Sequence, residues 1–172
     1  MPSSAFDQEY YERFYRDPET AVASEQSTAR LAAFVCSYLT HMDLPVRSVL
    51  DLGCGLGYWR EPILEHFPKA RYTGVEISAY TCKKLGWTQG SVIDFRPKKP
   101  ADLVICQGVL QYLNDRECRA ALDNLAAVTA GALYLEALTE EDWEVNCDQE
   151  LTDGEVHLRT GDFYRKRLAR NF

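Results

Sequence analysis

The stretch that decides the fold reads LDLGCGLGYW, residues 50–59. An apolar run that contains Asp51 leads into three glycines at alternate positions. Glycine allows turns and close approaches that a side chain prevents, and the N–H groups of such a loop can face a ligand. The stretch therefore predicts a tight turn between a strand and a helix, with a ligand bound against its backbone.

The class of ligand follows from the spacing of the glycines and from the charge beside them. A dinucleotide-binding fingerprint reads G-x-G-x-x-G and a P-loop ends in Gly-Lys-Ser/Thr. Here the spacing is G-x-G-x-G, no lysine follows Gly57, and Asp51 would repel a phosphate. These features favour a ligand that carries positive groups, as an amino acid sulfonium does.

Apolar runs alternate with helical patterns along the rest of the chain. This alternation predicts an α/β fold with a doubly wound, mostly parallel, Rossmann-like sheet of about five strands and helices on both faces. Asp7 is expected to cap an aromatic helix, Ser78 and Asn114 or Asp115 to begin later helices, and Gly131 to end one. The expected strands are 47–52, 71–77, 101–109 and 132–138, with a short third strand and its turn in 88–95, and the longest expected helix runs from about residue 27 to residue 42.

Size, charge and cysteine usage exclude several classes of protein. A chain of 172 residues fits a single domain, and its net charge of −7 opposes binding to nucleic acid. The absence of a long apolar run and of a signal peptide predicts a cytoplasmic protein that does not enter a membrane. The six cysteines are scattered without CxxC pairs, so neither a metal site nor a disulfide framework is expected.

Three segments together resemble a known family. VLDLGCGLG (49–57), GVEIS (74–78) and ADLVICQGVLQYL (101–113) are similar, in this order, to motifs of the class I, Rossmann-like S-adenosylmethionine-dependent methyltransferases. The resemblance covers about 46–138 and indicates a small, bacterial-type domain. It implies S-adenosyl-L-methionine as cofactor and S-adenosyl-L-homocysteine as product. Within the single domain 1–172, it implies N-terminal helices over the site (1–45), a cofactor-binding core (46–138), and a substrate-side loop and C-terminal helix (139–172).

The resemblance also assigns candidate cofactor-binding residues. The loop under the methionine part would comprise Gly53, Cys54, Gly55 and Gly57, with Asp51 near the amino group. Glu76 would accept from the ribose hydroxyls, beside Ile77, since a carboxylate can accept from two adjacent hydroxyls. For the adenine, Asp94 and Ser91 remain alternatives, with Val92 as a neighbour. The remaining candidates for cofactor contact are Gln107, Tyr11 and Tyr15.

The acceptor is less well defined by the sequence. Transfer from a sulfonium depends mainly on positioning, although a hydroxyl or a protonated amine benefits from a base. The candidate catalytic residues are Tyr112, Glu136 and His157. The fourth strand lacks the motifs of adenine, glutamine and cytosine methylation, so we expect in-line transfer to an oxygen or nitrogen of a small molecule.

The chain departs from the family at its C-terminal end. It lacks the antiparallel hairpin that forms the family's sixth and seventh strands, which would leave the fifth strand as an exposed edge. We expect either a truncated form or an edge that is covered by 139–160 or by a second subunit in a homodimer. Two alternatives to an active methyltransferase remain: a non-catalytic or partner-dependent cofactor-binding module, and an NAD-dependent oxidoreductase.

Overall fold

A single parallel sheet forms the centre of the protein. The computed structural model describes residues 6–16, 24–149 and 155–172, except for the side chains of Tyr15 and Arg16. The sheet has five strands in the order β3-β2-β1-β4-β5, and every pair is parallel. The predicted doubly wound α/β architecture is confirmed. The strands are β1 (Ser48–Leu52), β2 (Arg71–Glu76), β3 (Thr88–Gln89), β4 (Ala101–Gln107) and β5 (Thr129–Glu136).

Helices connect the strands, and side-chain caps fix where several of them begin. The side chains of Asp7, Ser78 and Asn114 each accept from a backbone N–H in the first turn of the helix that follows, as predicted. A π-helical turn (Glu12–Arg16) continues the first helix, and a 3₁₀ turn (Leu110–Tyr112) follows β4. The helices are α1 (Gln8–Tyr11), α2 (Glu25–His41), α3 (Arg60–His66), α4 (Ala79–Leu85), α5 (Asp115–Val128), α6 (Glu140–Val145) and α7 (Gly161–Leu168).

Helices cover both faces of the sheet, and successive side chains of each central strand point to opposite faces, so both sets are buried. Val104 and Cys106 of β4 belong to one apolar cluster, with side chains of α5 and α7. Leu103 and Ile105 belong to the other cluster, with side chains of α2 and α3. This arrangement leaves the carboxyl ends of the strands as the natural place for a ligand.

Several sequence-based boundaries differ from the structure. Helix α2 begins at Glu25, slightly before the expected start near residue 27, and β5 begins at Thr129, not at residue 132. β3 ends at Gln89, before the turn that was expected with it. Gly131 does not end a helix, because α5 stops at Val128 and Gly131 lies inside β5. A Cβ atom at Gly131 would lie 2.5 Å from the carbonyl oxygen of Asp102. The glycine therefore permits close packing of β5 on β4.

Two further findings concern the described residues as a group. None of their helices has the length and apolar character needed to cross a bilayer. They also contain no cluster of three His, Cys, Asp or Glu side chains that could hold a metal ion.

Within the sheet β5 pairs with β4 only, so it is an edge strand. A homodimer through this edge stays a prediction.

Candidate active site

The glycine loop after β1 lies at the carboxyl ends of the strands. All three glycines have positive φ, at 82°, 51° and 81° for Gly53, Gly55 and Gly57. A side chain at Gly53 would collide with Val109, and one at Gly57 would collide with Trp87. At Gly55 the closest atom to an added Cβ is Cε1 of Tyr11, 3.7 Å away. Protein packing therefore excludes side chains at two of the three positions, and Gly55 is the glycine with room for a ligand beside it.

Two cavities meet at this loop, with volumes of about 510 Å³ and about 130 Å³. Both are lined by Gly53, Gly55 and Gln107, so they adjoin each other. Tyr10 and Tyr112 also line both, and their hydroxyls are 2.8 Å apart. This pair of hydroxyls therefore stands where the two cavities meet.

Glu76 lines the smaller cavity, together with Ile77 and a second acid, Glu117. The Glu76 side chain is 4% exposed at the end of β2. One oxygen accepts from the N–H of Gly55 at 2.9 Å, and the other accepts from Ile77 and Ser78 at 2.8 and 3.0 Å. An ionised carboxylate has about four acceptor sites. Glu76 can therefore accept from one ligand hydroxyl as it stands, and from two once Gly55 releases it.

The segment after β3 contributes Ser91 and Val92 to the smaller cavity. Asp94, the preferred sequence candidate for the adenine contact, is exposed and lines neither cavity. The difference follows from a turn in which the N–H groups of Asp94 and Phe95 donate to the carbonyl of Ser91. Of the two alternatives left open by the sequence, the structure brings Ser91 to the cavity.

Asp51 is the buried acid of the larger cavity. Burial raises the pKa of its carboxyl to about 7; a hydrogen bond from the Tyr72 hydroxyl opposes that rise, and the charge of Glu76 adds to it. Neighbouring Cys54 also lines this cavity, and burial raises the pKa of its thiol. Asp51 can thus change its charge near neutral pH, whereas Cys54 stays a neutral thiol.

A chain of hydrogen bonds crosses one wall of the larger cavity. The Trp59 indole donates to Oε1 of Gln107 at 2.7 Å, and the Gln107 amide lies 3.2 Å from both oxygens of Glu136. The hydroxyl of Tyr134 donates to Glu136 at 2.7 Å. Trp59, Gln107 and Glu136 all line the cavity. The chain fixes the Glu136 carboxylate at the end of β5, beside the cavity.

Comparison with known proteins is consistent with this geometry. Residues 50–131 match the family described as methyltransferase domain. Over these residues, just under half of the chain, the protein resembles a class I methyltransferase. Proteins of this class use S-adenosylmethionine as the methyl donor. The matched residues run from the glycine loop to β5, so they contain Gly55, Glu76 and Gln107.

Individual relatives share parts of the chain. Trans-aconitate 2-methyltransferase of Azoarcus sp. (strain BH72) is 33% identical over 75 residues, which are 40% of this chain and 30% of that relative. The amino pentose methyltransferase CalS10 of Micromonospora echinaspora, solved with bound SAM, is 26% identical over 62% of this chain and 49% of its own, with a TM-score of 0.53. The plantazolicin methyltransferase BamL, solved with S-adenosylhomocysteine, has a TM-score of 0.67 at 20% identity over 98% of this chain and 73% of its own. The region that matches the Azoarcus relative spans less than a third of that relative's length.

Residues 6–14 lie against both cavities. The carbonyl of Phe6 accepts from the Ser78 hydroxyl at 2.5 Å, and the Phe6 ring is 5.2 Å from that of Tyr112. Tyr11 is buried and lines the smaller cavity beside Gly55. The side chain of Tyr15, the other predicted contact, lies outside the described residues. Residues 6–14 therefore cover the loop where the sequence predicted a covering helix.

The candidate catalytic residues separate into two groups. Tyr112 and Glu136 line the larger cavity, but His157 is exposed and lines neither. The backbone of His157 donates to Gln111 at 2.7 Å and accepts from Arg159 at 3.0 Å, so this residue joins the C-terminal segment to the turn after β4. Gly57 also lies outside both cavities, beneath Trp87.

Sequence reasoning missed several residues of the larger cavity. Trp59 could have been found, because it follows the glycine loop directly. Tyr58 and Gln111 lie within the quoted motifs but were not singled out, and the others come from the segments that flank residues 50–131. These cavity residues are Tyr10, Phe14, Tyr58, Gln111, Asp142, Asn146 and Asp148.

Proposed function

We propose that this protein transfers a methyl group from S-adenosylmethionine to an oxygen or nitrogen of a small-molecule acceptor by in-line displacement. One observation carries the proposal. The cavity lined by Glu76 and the cavity lined by Asp51 and Glu136 adjoin each other at Gly55, inside the region that matches a methyltransferase domain. A cofactor bound along this line would have its sulfonium next to the larger cavity.

Residues of the site fit the two ends of such a cofactor. Glu76 accepts from the ribose hydroxyls, and Ser91, Val92 and Ile77 line the adenosine side. At the other end Asp51 faces the ammonium of the methionine part, whose charge favours the ionised carboxylate. The cofactor supplies a methyl group that is already activated as a sulfonium. The protein's task is therefore mainly to position the acceptor and to exclude water.

Aromatic side chains exclude water from the larger cavity. Tyr10, Phe14, Trp59 and Tyr112 line the larger cavity, and Phe14 and Trp59 are buried. Apolar ring faces displace water from the path between methyl donor and acceptor. Glu136 lines the same cavity. In this proposal it takes a proton from the acceptor.

Calorimetry with S-adenosylmethionine, S-adenosylhomocysteine and NAD tests the proposal. We expect the wild type to bind both sulfur compounds. Gly55→Arg should weaken this binding at least about 100-fold, because the new side chain would occupy the space beside the loop. Gly86→Arg is the matched control, because Gly86 also has positive φ but has open space around it and lines neither cavity.

Each outcome of the calorimetry favours or excludes one type of ligand for the site. Failure to bind either sulfur compound overturns the proposal, and tight NAD binding would favour an oxidoreductase instead. Formation of S-adenosylhomocysteine with a panel of small acceptors then separates an enzyme from a non-catalytic or partner-dependent binding module. The panel needs alcohols, amines and carboxylates, because the family includes acceptors of more than one chemical class.

A further inference from the structure

We propose that the acceptor is an amine that is positively charged at neutral pH, and that its nitrogen receives the methyl group. This inference rests on the proposed function and narrows it to one class of acceptor. It concerns the part of the larger cavity formed by residues 136–148 together with the aromatic side chains from residues 10–14, 58–59 and 112.

The charges on this part of the cavity are all negative. Glu136, Asp142 and Asp148 line it, and no Lys, Arg or His is found among the described lining residues. Arg13 packs over the ring of Phe14, 5.0 Å from its centroid, without lining the cavity. The sequence of 17–23 and 150–154, which lies outside the described residues, also contains no Lys, Arg or His; the side chain of Arg16 lies outside the described residues as well.

Two of these carboxylates have neutral hydrogen-bond partners. Glu136 accepts from the Gln107 amide and the Tyr134 hydroxyl. Asp142 accepts from Thr139 at 2.7 Å and from Asn146 at 3.2 Å, and these bonds lower the pKa of its carboxyl. Among the described residues, both acids are therefore held in place by neutral partners, with no salt bridge to cancel their charge. A carboxylate acceptor would be repelled here, whereas an ammonium would be attracted.

Aromatic side chains provide a second, independent reason to expect a cation. Five of them line the same cavity, and the face of an aromatic ring attracts an ammonium within about 6 Å. The interaction is stronger where water is excluded, and Phe14 and Trp59 are buried. These residues are Tyr10, Phe14, Tyr58, Trp59 and Tyr112.

Methyl transfer to an amine can be written so that every proton and bond is accounted for by the residues present and the cofactor. A bound ammonium first gives one proton to the Glu136 carboxylate and becomes a neutral amine. Its lone pair then forms a bond to the methyl carbon while the carbon–sulfur bond breaks and its electron pair stays on sulfur. The methylated nitrogen is again a cation, and Glu136, which is exposed, returns its proton to solvent.

Three probes of similar shape and different charge test the inference: benzylamine, benzyl alcohol and benzoate. Each is titrated at pH 7.5 into the protein saturated with S-adenosylhomocysteine. We expect benzylamine to bind at least about five-fold more tightly than benzyl alcohol, and benzoate to bind more weakly than both. Glu136→Gln should lower the affinity for benzylamine about three-fold or more and leave that for benzyl alcohol unchanged.

Glu65→Gln is the matched control, because it removes the same charge from an exposed position of α3 that lines neither cavity. It should leave all three affinities unchanged. If the protein binds S-adenosylhomocysteine but has equal or no affinity for the three probes, the inference is overturned alone. Turnover of trans-aconitate, the carboxylate acceptor named for the Azoarcus relative, would also overturn it. Lack of S-adenosylhomocysteine binding overturns the proposed function as well.

Discussion

The indole of Trp87 packs directly on Gly57, so that a Cβ atom at this glycine would overlap the ring. The same ring lies 2.6 Å from the position that a Cβ of Gly74 would occupy, and its Nε1 donates to the carbonyl of Gly55 at 3.0 Å. Trp87 thus joins β2 to the loop that follows β1. The glycine spacing of the loop serves this contact as well as the ligand.

Gly57→Ala should therefore destabilise the fold. The positive φ costs about 1–2 kcal/mol and the overlap with Trp87 adds about 1–3 kcal/mol to the loss in the free energy of unfolding. Urea denaturation measures the loss. Gly86→Ala is the control, because it has a positive φ of 76° but no atom within 4 Å of the added Cβ. Equal losses for the two variants would show that the Trp87 contact contributes nothing.

The pKa of Asp51 predicts how stability changes with pH. Since folding raises this pKa to about 7, the folded protein holds a proton that the unfolded chain has released. The stability that this bound proton contributes is fully present below the pKa of Asp51 in the unfolded chain, and it is lost as the pH rises to about 7. Asp51→Asn removes this loss. Its stability relative to wild type should rise by about 2 kcal/mol between pH 5.5 and pH 8, as measured by urea denaturation.

Tyr72→Phe tests the same titration by raising the pKa of Asp51 further. The Tyr72 hydroxyl donates to Asp51 and lowers the pKa of its carboxyl. Without this bond the loss of stability should extend to higher pH. A profile identical to that of the wild type would exclude Asp51 as the titrating group.

Glu76→Gln should affect both folding and cofactor binding. An amide nitrogen would replace one oxygen that now accepts backbone N–H groups, which places a donor against a donor. The expected loss is about 1–3 kcal/mol of stability, with a weaker affinity for S-adenosylhomocysteine that calorimetry measures. Glu141→Gln, on the exposed surface of α6, is the control. Unchanged affinity in the Glu76 variant would exclude this carboxylate from the ribose contact.

Arg159→Lys tests the support of the turn that carries Tyr112. The Arg159 guanidinium is 4% exposed and bonds to Asp115 at 2.9 Å and to the carbonyls of Leu110 and Leu113. A lysine cannot reach all of these groups, so we expect a loss of about 2–4 kcal/mol by thermal or urea unfolding. Arg165→Lys, an exposed arginine of α7, should have almost no effect. Similar losses in both variants would contradict this role.

The sequence predicted those parts of the fold that local patterns encode. Ser78 and Asn114 cap helices because their side chains bond to the next turn, and the apolar run of β4 shows that both sheet faces are covered. Gly131 was misassigned because its reason for being glycine is the carbonyl of Asp102, on the neighbouring strand. Trp87 was missed for the same reason, since its partners are distant in sequence.

The candidate site was predictable to a similar extent. Gly55 follows β1 and Glu76 ends β2, both in recognisable motifs, and both line the smaller cavity. Asp94 and His157 were chosen for their chemical types; a turn places Asp94 at an exposed position, and His157 is exposed in the irregular segment before α7. Glu136, Asp142, Tyr10 and Phe14 come from segments outside the quoted motifs, so only their meeting in space shows that they belong together.

Residues 6–14 and 136–148 supply many of the side chains that line the larger cavity, yet both lie outside the 50–131 region that matches the family. Under the proposed function, much of the acceptor side would therefore be encoded outside the part of the chain that resembles the family. Exchange of these two flanking segments with those of another methyltransferase would graft a new acceptor preference onto an unchanged donor-binding core. The layout makes this protein a natural starting scaffold for engineering selectivity.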